Sequence, residues 1–353
     1  MKKSKKSKKK YKIILITVFS ILTICLIGIG IEYSYIKSNI YKEPEPIVVK
    51  EEVQTFVKPK EETIEYKEVE GIINILLIGV DGIDFDEKDQ RSDSMIIATL
   101  DCNNKKVKLT SLYRDTLVYI PGYGEDKINA SFTLGGAELV METIKYNYDL
   151  NIEKYVMINF AGFEAVIDQI GGIEIDVKDY QLHELNKYIG QATGENDCPV
   201  EEVGLQTLNG KQALSYARIR KGVGDDYERT ERQREVLFKV AEKLKDTSTI
   251  KYLGVANSMV EYLKTNIEIM ECLDMAYTIS KFPTLNTEQL SIPDLELCIE
   301  EEVDGVMALR MDRYKNAVIL NDFIFNDTLP DFILNRSTEK DPSLYYEYEG
   351  FGQ

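Results

Sequence analysis

The sequence predicts an α/β protein in which helices cover a parallel or mixed sheet. Residues 72–80 are nearly all apolar, which is typical of a strand buried on both faces. Two further strand-like runs, 95–101 and 106–112, are separated by a short polar segment suited to a hairpin turn. Strand and helix patterns then alternate as far as residue 177, which indicates helices layered on a sheet.

The elements of the middle of the chain follow from turn and capping signals. Pro121-Gly122 marks a turn. We then expect, in order, a helix over 137–146, a strand over 154–159, a helix over 163–170 that ends at Gly171-Gly172, and a strand over 173–177. The polar residues 178–205 predict a loop that covers the functional site of the protein.

The second half of the chain is expected to contain two successive helices, followed by a continuation of helices and strand. Asn209 is a candidate N-cap for one helix. A long amphipathic helix is expected to run to about Lys245. Apolar residues recur along it at core spacing. Further helices and a strand near 288–292 are expected in the remainder.

The N-terminus has the pattern of a membrane anchor. Eight lysines lie within residues 2–12, and residues 13–31 carry no charge. A run of this length is about enough to span a bilayer as a helix, and the lysines should stay in the cytoplasm. A cleaved signal peptide is the alternative. The run is longer than is usual for one, and no small-x-small cleavage site precedes Glu32 convincingly.

This pattern divides the chain into an anchor, a spacer and an extracellular body. Residues 32–70 are rich in Glu, Lys, Tyr and Pro, and predict an extended stalk. The predicted segments are a basic cytoplasmic tail 1–12, a transmembrane helix 13–31, the stalk 32–70, a globular domain 71–247, its helical and strand continuation 248–342 and a tail 343–353.

Composition excludes several classes of function. The formal net charge is −17 despite the N-terminal lysines, which argues against nucleic acid as a partner. No CxxC or metal-binding spacing is present among the five cysteines, and sequence alone cannot pair Cys102, Cys198, Cys272 and Cys298. The single histidine, His183, lies in the polar stretch, which makes Ser-His-Asp catalysis improbable.

Ionisable residues at strand ends indicate a site. Asp81 ends the first strand, Asp93 ends the loop that follows it, and Arg114 follows the third strand. Two carboxylates and an arginine suggest a cation and a phosphate held together. The alternative is that these are turn acids and a surface ion pair.

A group of basic residues later in the chain suits a phosphate-rich ligand. Arg218 and Arg220 lie two apart, so in an extended segment both point the same way. Arg229 and Gln233 lie four apart on one helix face, and Arg229 is in the first turn, where free N–H groups favour an anion. Arginine binds phosphate oxygens through two bonds.

The alternative for these arginines is a charged helix surface paired with glutamates. We adopt that alternative for Arg232 and Arg234, which we expect to face solvent or an acidic neighbour. We do not adopt it for the three arginines named above, since the rest of the chain is so acidic.

The chain resembles the LytR-CpsA-Psr family of Gram-positive envelope proteins, on motifs that run in family order over residues 72–245. The matching stretches are 74–81, 91–93, 111–116, 127–129, 135–136, 159–160, 162–163, 171–172, 208–210, 216–220 and 229–234. An older label for the family is transcriptional attenuator or regulator. An extracellular acidic domain cannot contact DNA, so the expected topology disfavours that label.

The resemblance implies a phosphotransferase with a twisted mixed central sheet flanked by helices. Such enzymes move an anionic glycopolymer, such as teichoic acid or a capsular-type polysaccharide, from an undecaprenyl-pyrophosphate carrier to peptidoglycan. The product is a phosphodiester, Mg²⁺ assists, and a groove holds the polyprenyl chain. The rival functions are a phosphatase with water as acceptor and a non-catalytic lipid-pyrophosphate binding protein.

The resemblance also assigns roles to residues. Asp81 and Asp93 match the metal-associated aspartates. The positions that match pyrophosphate contacts are Arg91, Arg114, Lys127, Arg218, Arg220, Arg229 and Gln233. Asp226 matches a further acid, with Asp225 as the other candidate. Arg114 would stabilise charge during transfer, and either Asp93 or Asp226 would be the base.

Two departures from the family pattern and one apolar set complete the prediction. Tyr113 stands where the family often has proline, and Gly82-Ile83-Asp84 lacks a basic residue that often follows the first aspartate. Candidates for the wall of the lipid groove are Phe160, Phe163, Val166, Ile167, Val236, Leu237 and Val240, with ordinary core packing as the alternative for each.

Overall fold

The computed structural model describes residues 33–43, 68–81, 85, 92–189, 198–220, 226–245, 261–282, 286–303 and 305–329. The predicted transmembrane segment 13–31 lies outside these ranges, as does Arg91. Among the described helices, none combines the length and the apolar character needed to cross a bilayer.

The elements are numbered here in chain order. The strands are β1 Ile72–Val80, β2 Ser92–Asp101, β3 Lys106–Leu112, β4 Thr116–Ile120, β5 Gly124–Lys127, β6 Lys154–Asn159, β7 Ile173–Val177, β8 Gly204–Leu208, β9 Leu263–Thr265, β10 Asn286–Ile292, β11 Cys298–Val303 and β12 Val306–Met311. The helices are α1 33–40, α2 Ile128–Tyr148, α3 Phe160–Gln169, α4 Asp179–Tyr188, α5 Gly210–Arg218, α6 Asp226–Lys245, α7 Ile269–Ser280 and α8 Arg313–Asn321.

The centre of the fold is a six-stranded mixed sheet in the order β10-β3-β2-β1-β6-β9. β1 runs parallel to β6 and β10 parallel to β3, while the other neighbouring pairs are antiparallel. Two smaller sheets have the orders β11-β12-β4-β5 and β7-β8. The predicted α/β class with a mixed central sheet and flanking helices is therefore confirmed.

β1 is apolar throughout because both of its faces are covered. Leu76, Ile78 and Val80 are at most 1% exposed and belong to the core cluster that α2 and α8 complete. Leu77 and Gly79 point to the opposite face, because side chains alternate along a strand. Each buried leucine or isoleucine contributes about 1.5–3 kcal/mol to the free energy of unfolding.

A second core lies between α3, α4, α5, α6 and the two-stranded β7-β8 sheet. The glycines predicted to end α3 do so with positive φ, +82° at Gly171 and +78° at Gly172, and their amides donate to the Asp168 and Ile167 carbonyls. Gly210 lets α5 approach α3 closely, since a Cβ there would lie 2.3 Å from the Glu164 carbonyl oxygen. The predicted N-cap is confirmed, with Asn209 Oδ1 accepting from Gln212 N.

The predicted loop over 178–205 is wrong in two places. α4 lies within it, so His183 is on a helix, and β8 already begins at Gly204 near its end. The apolar residues of this stretch are too sparse for the periodicity to be visible, yet Leu185 is fully buried. The side chain of Asn186 also bonds both backbone groups of Val200, which joins the two ends of the segment.

The start of the predicted stalk is also not extended where the structure describes it. α1 buries Ile36 and Ile40 against Leu263 and Ile269. Lys37 Nζ lies 2.9 Å from Glu268 Oε1 on the body of the protein. These long-range contacts have no local signal in the sequence.

Candidate functional site

A groove of about 440 Å³ lies between the central sheet and the helices of the second layer. Its floor is the face of β1, β2 and β6 that α2 does not cover, and its walls are α3, α5 and α6. The apolar residues along it are Leu77, Ile78, Ile96, Val156, Ile158, Phe160, Phe163, Val166, Ile167, Leu214, Ala217, Leu237, Val240, Leu244 and Leu263.

One end of the groove is polar and strongly cationic. It lies where β1 and β6 end and β2 begins, since Val80 is the neighbour of Asn159 on one side and of Ser92 on the other. The polar residues that line the groove are Asp93, Ser94, Asn159, Tyr188, Arg218, Arg220, Arg229 and Gln233. The structure therefore brings together five of the residues predicted from sequence.

The first turns of α6 supply two of them. Arg229 is only 3% exposed, and its position in the first turn adds the helix N-terminus to its own charge. Gln233 follows one turn later on the same face, and its Oε1 accepts a 3.0 Å hydrogen bond from Ser94 Oγ on β2. This bond orients the amide of Gln233 at the mouth of the cationic end.

Arg218 is held by two aromatic rings. Its guanidinium carbon lies 4.8 Å from the ring centre of Phe160 and 5.6 Å from that of Tyr188. Burial lowers the pKa of this guanidinium, and the charge of Asp93 opposes that shift. Within the described part of the chain its Nη1 has no hydrogen-bond partner. An arginine fixed by stacking therefore keeps donor capacity for a ligand oxygen.

The predicted extended geometry of Arg218 and Arg220 is wrong in detail. Arg218 is the last residue of α5, and the chain leaves the helix at Ile219, which has φ −55° and ψ 129°. This turn brings Arg220 back to the same groove, where its Nη2 lies 3.8 Å from Asp93 Oδ1. The two side chains converge because a helix ends between them.

Arg114 pairs with both Asp93 and Asp115, and Asp115 in turn pairs with Lys127. Its Nη1 lies 2.8 Å from Asp93 Oδ1, and its Nε lies 3.4 Å from Asp115 Oδ2. Lys127 Nζ lies 2.8 Å from the other oxygen of Asp115 and does not line the groove. Burial acts to raise the pKa of Asp115, but the hydrogen bond from Lys127 and the charge of Arg114 lower it overall. A direct contact of Lys127 with pyrophosphate stays a prediction.

Two carboxylates at the cationic end fit a Mg²⁺ site completed by the substrate. Asp81 is exposed directly after β1, beside the start of β2 that carries Asp93. The charges of both carboxylates act on the Arg218 guanidinium, so they share one neighbourhood. No cluster of three or more acidic, histidine or cysteine side chains able to hold a metal occurs among the described residues. Mg²⁺ is commonly held by one or two carboxylates together with substrate phosphates.

The side chain of Asp226 lies outside the described part of the structure, as does Arg91. The choice between Asp93 and Asp226 as base therefore stays open.

The prediction that Arg232 and Arg234 lie on an exposed, charged helix surface is wrong, although Arg232 does have the acidic neighbour that was expected, Glu228. They are 4% and 3% exposed, because α6 packs against α5, β7, β3 and β10 and so is covered on several sides. Arg234 donates to Ser111 Oγ, Ser291 Oγ and Gln289 Oε1 at 2.6–3.0 Å. Arg232 Nη2 donates to the Ile219 carbonyl at 2.7 Å, and its Nη1 pairs with Glu228.

Arg232 is expected to position the arginines of the groove. Ile219, whose carbonyl it binds, lies between Arg218 and Arg220. Arg232→Ala should lower the free energy of unfolding by about 1–3 kcal/mol, because a buried carbonyl loses its partner. It should also weaken binding of a pyrophosphate lipid, although the side chain does not line the groove. Both effects are measured by denaturant unfolding and by lipid binding.

The control for this variant is Lys239→Ala on the same helix. That lysine is one-third exposed, and its ion pair within the described part of the chain is with Glu242 on the same helix. Its loss should change stability by at most about 0.5 kcal/mol. Wild-type stability and binding in Arg232→Ala would contradict the positioning role.

Six of the seven predicted lipid-groove residues line the groove. The exception is Val236, which is fully buried in the core around the two-stranded β7-β8 sheet. Its neighbour Leu237 lines the groove. Adjacent positions differ because successive residues of a helix lie about 100° apart around its axis.

This difference gives a matched pair of variants. Val236→Ala should lower the melting temperature, since it leaves a cavity in the core. Leu237→Ala should mainly weaken binding of a polyprenyl chain and change the melting temperature less. Lipid affinity and thermal unfolding measured on both variants test the assignment. Two variants that only lose stability would leave no evidence for lipid at Leu237.

Several site residues have no signal in the sequence. Tyr188 stacks on Arg218 from α4, an element hidden in a predicted loop. Ser94 and Leu263 reach the groove only because β2 and β9 flank the central pair of strands. Asp115, by contrast, follows Arg114 directly, and that spacing was a usable signal for its ion pair.

Comparison with known proteins places these features in one family. The LytR_cpsA_psr family model matches residues 36–323. The chain is 34% identical over 231 residues to the polyisoprenyl-teichoic acid–peptidoglycan teichoic acid transferase TagV of Bacillus subtilis, covering 64% of this chain and 57% of that protein. It is 30% identical over 288 residues to TagU of Enterococcus faecalis, which bears the same transferase name, covering 80% and 88%.

A solved structure shares the fold. The structure titled TagT bound to LIIa-WTA superimposes with a TM-score of 0.60 at 25% sequence identity, covering 80% of this chain and 99% of that one. The chain spans little more than half the length of TagV, so similarity to that relative concerns this shared region.

Proposed function

The chain belongs to the LytR_cpsA_psr family, and on that premise we propose that it is a membrane-anchored extracellular phosphotransferase. It moves an anionic glycopolymer, of teichoic acid or capsular type, from a polyprenyl-pyrophosphate carrier to peptidoglycan and joins them by a phosphodiester. The transferase names of TagV and TagU support this function.

The observation that carries the proposal is the polarity of the groove. A long apolar channel ends at Arg218, Arg220 and Arg229, in a body that is otherwise acidic. Such a site suits a ligand with a long hydrocarbon chain and a compact, multiply charged head. Burial of the chain contributes about 0.8 kcal/mol per CH₂ group, and each arginine can bind two phosphate oxygens.

The residues of the cationic end suit transfer of a phosphoryl-linked sugar. The acceptor hydroxyl attacks the phosphorus that carries the glycopolymer, and the bond to the bridging oxygen breaks, so that polyprenyl phosphate leaves. Arg218, Arg220 and Arg229 stabilise negative charge on the phosphates. A carboxylate, Asp93 or Asp226, accepts the proton of the hydroxyl.

Mg²⁺ is part of the proposal as a cofactor. Asp81 and Asp93 would hold it, and it would neutralise charge on the pyrophosphate. Arg114 does not line the groove itself but orients Asp93 through their 2.8 Å ion pair, so this contact would arrange the metal ligand and add positive charge behind it.

The proposed topology is a single span with the N-terminus in the cytoplasm. It is supported by the lysines before residue 13 and the charge-free residues 13–31. Protease added to intact protoplasts should therefore degrade the globular domain. A cytoplasmic protein of the same cells serves as the control for lysis. A domain protected until the membrane is permeabilised would contradict the topology.

The function is tested with the full chain in lipid nanodiscs. The purified protein receives a polyprenyl-pyrophosphate-linked saccharide, a peptidoglycan fragment and Mg²⁺, and products are identified by mass spectrometry. The expected product is the saccharide joined to peptidoglycan through a phosphodiester. Release of free phosphorylated saccharide would instead show a phosphatase, and bound lipid without any product would show a binding protein.

A further inference from the structure

Helix α7 presents an apolar face that no described part of the protein covers. Met270, Leu273 and Tyr277 are 63%, 45% and 59% exposed. Their spacing of three and four residues places them on one side of the helix. No residue of α7 is fully buried, which is unusual for a helix of this apolar composition.

The opposite side of α7 is tied to the body by charge. Glu271 Oε1 lies 2.9 Å from Lys154 Nζ, and the preceding Glu268 lies 2.9 Å from Lys37 Nζ on α1. Asp274 is near enough to Cys102 to contribute to the raised pKa of that thiol, after the larger effect of burial. Glu271 thus ties one side of α7 to β6, Ile269 packs on α1, and Met270, Leu273 and Tyr277 stay exposed on the other side.

α7 lies at the end of the sheet opposite the cationic site. Lys154, its ion-pair partner, is the first residue of β6, whereas Asn159 at the cationic end is the last. These positions are separated by about 17 Å at roughly 3.3 Å per residue of strand. The apolar floor of the groove runs from the cationic end toward the α7 end, through Ile158 and then Val156.

The chain that leads to the N-terminus lies against the same side. Tyr41 pairs with Thr265, and Lys264 Nζ donates to the Asn39 carbonyl at 2.6 Å. Leu263 both lines the groove and packs on the buried residues of α1. α1 also exposes Tyr33 and Tyr35, and Tyr33 is two residues from the end of the charge-free stretch 13–31.

We propose that α7 and the first turn of α1 rest on the outer surface of the lipid bilayer. The proposal relies on the single-span topology of the proposed function, because that span would end beside α1 and hold α7 at the membrane. Tyrosine, methionine and leucine suit the headgroup region, where an amphipathic helix buries one face. Lys281 Nζ lies 4.0 Å above the ring of Tyr277 and borders the surface with positive charge.

This placement orients the groove. Its apolar end is directed to the bilayer, and Arg218, Arg220 and Arg229 face away from it toward the cell wall. A polyprenyl chain can then keep its far end in the membrane while its pyrophosphate reaches the arginines. The membrane surface therefore becomes part of the binding site for the lipid substrate.

The absence of tryptophan from the chain permits a direct test. Tyr277→Trp places a single tryptophan on α7, and Ile299→Trp places one on β11, where Ile299 is 70% exposed. Each full-length variant is reconstituted in vesicles of phosphatidylcholine and phosphatidylglycerol, with and without brominated acyl chains. We expect the tryptophan of Tyr277→Trp to emit at a shorter wavelength than that of Ile299→Trp and to be quenched by brominated lipid. We expect no quenching of Ile299→Trp.

Equal quenching of the two tryptophans, or none at position 277, would overturn the membrane contact. The measurement needs neither substrate nor turnover, so it is independent of the transferase assay. Transfer without quenching would leave the proposed function intact and refute the docking surface. Quenching at position 277 without transfer would support the docking surface and contradict the proposed function. Circular dichroism checks that both variants are folded.

Discussion

Arg114→Ala is expected to lower the rate of glycopolymer transfer by about a hundredfold or more. Arg114 is one-fifth exposed and holds Asp93 at 2.8 Å, so its loss releases a carboxylate of the proposed site and removes a positive charge next to it. Lysine at this position should restore activity only in part, since it keeps the charge but cannot bridge Asp93 and Asp115 with a rigid fork. Transfer by the full chain is measured alongside its melting temperature.

The matched control is Arg310→Ala. Arg310 lies on β12 and is exposed, with ion pairs to Glu301 and Glu125 outside the groove. Its loss should change stability by at most about 1 kcal/mol and leave turnover unchanged. Arg232 cannot serve as an exposed control, because its side chain is buried and donates a hydrogen bond to the Ile219 carbonyl. A fully active Arg114→Ala protein would refute the site.

Replacing Asp81 and Asp93 together with asparagine is expected to abolish Mg²⁺-dependent transfer while the protein stays folded. Asparagine has nearly the same shape as aspartate, but it lacks the negative charge with which the one or two carboxylates of a typical Mg²⁺ site attract the ion. Turnover is measured against Mg²⁺ concentration, with unfolding followed in parallel. Full activity of the double variant in the presence of a chelator would eliminate the metal assignment.

The single variants separate two effects. Asp93→Asn also disturbs Arg114 and Arg220, both of which contact its carboxylate. Asp81→Asn leaves the contacts of Asp93 with Arg114 and Arg220 in place, and should chiefly raise the Mg²⁺ concentration needed for half-maximal rate. Asp176→Asn, half-exposed on β7 beside Lys178, controls for the loss of one acidic charge.

Much of the fold was readable from local pattern. The apolar run of β1, the hairpin between β2 and β3, the glycines after α3 and the N-cap at Asn209 were each predicted correctly. These features depend on periodicities of 2 and 3.6 residues and on the backbone preferences of glycine and asparagine. Such preferences act within a few residues and need no knowledge of distant partners.

The cationic end of the site was also accessible from sequence, because arginines in an acidic chain are conspicuous. Arg218, Arg220, Arg229, Gln233 and Asp93 were predicted and do line one groove. The prediction that Arg218 and Arg220 converge is correct, but it assumed an extended segment, whereas Arg218 is the last residue of a helix. α5 ends at Arg218, between the two arginines, and their spacing in the sequence does not reveal that end.

Which arginines serve the ligand and which serve the structure was decided only by tertiary packing. Arg229, Arg232 and Arg234 have the same chemistry and lie within six residues on α6, and all three are at most 4% exposed. One lines the groove, one binds the carbonyl of Ile219 and one bonds β3 and β10. Helical periodicity reports an apolar face, whereas a buried arginine needs specific acceptors, and those acceptors come from segments far away in the chain.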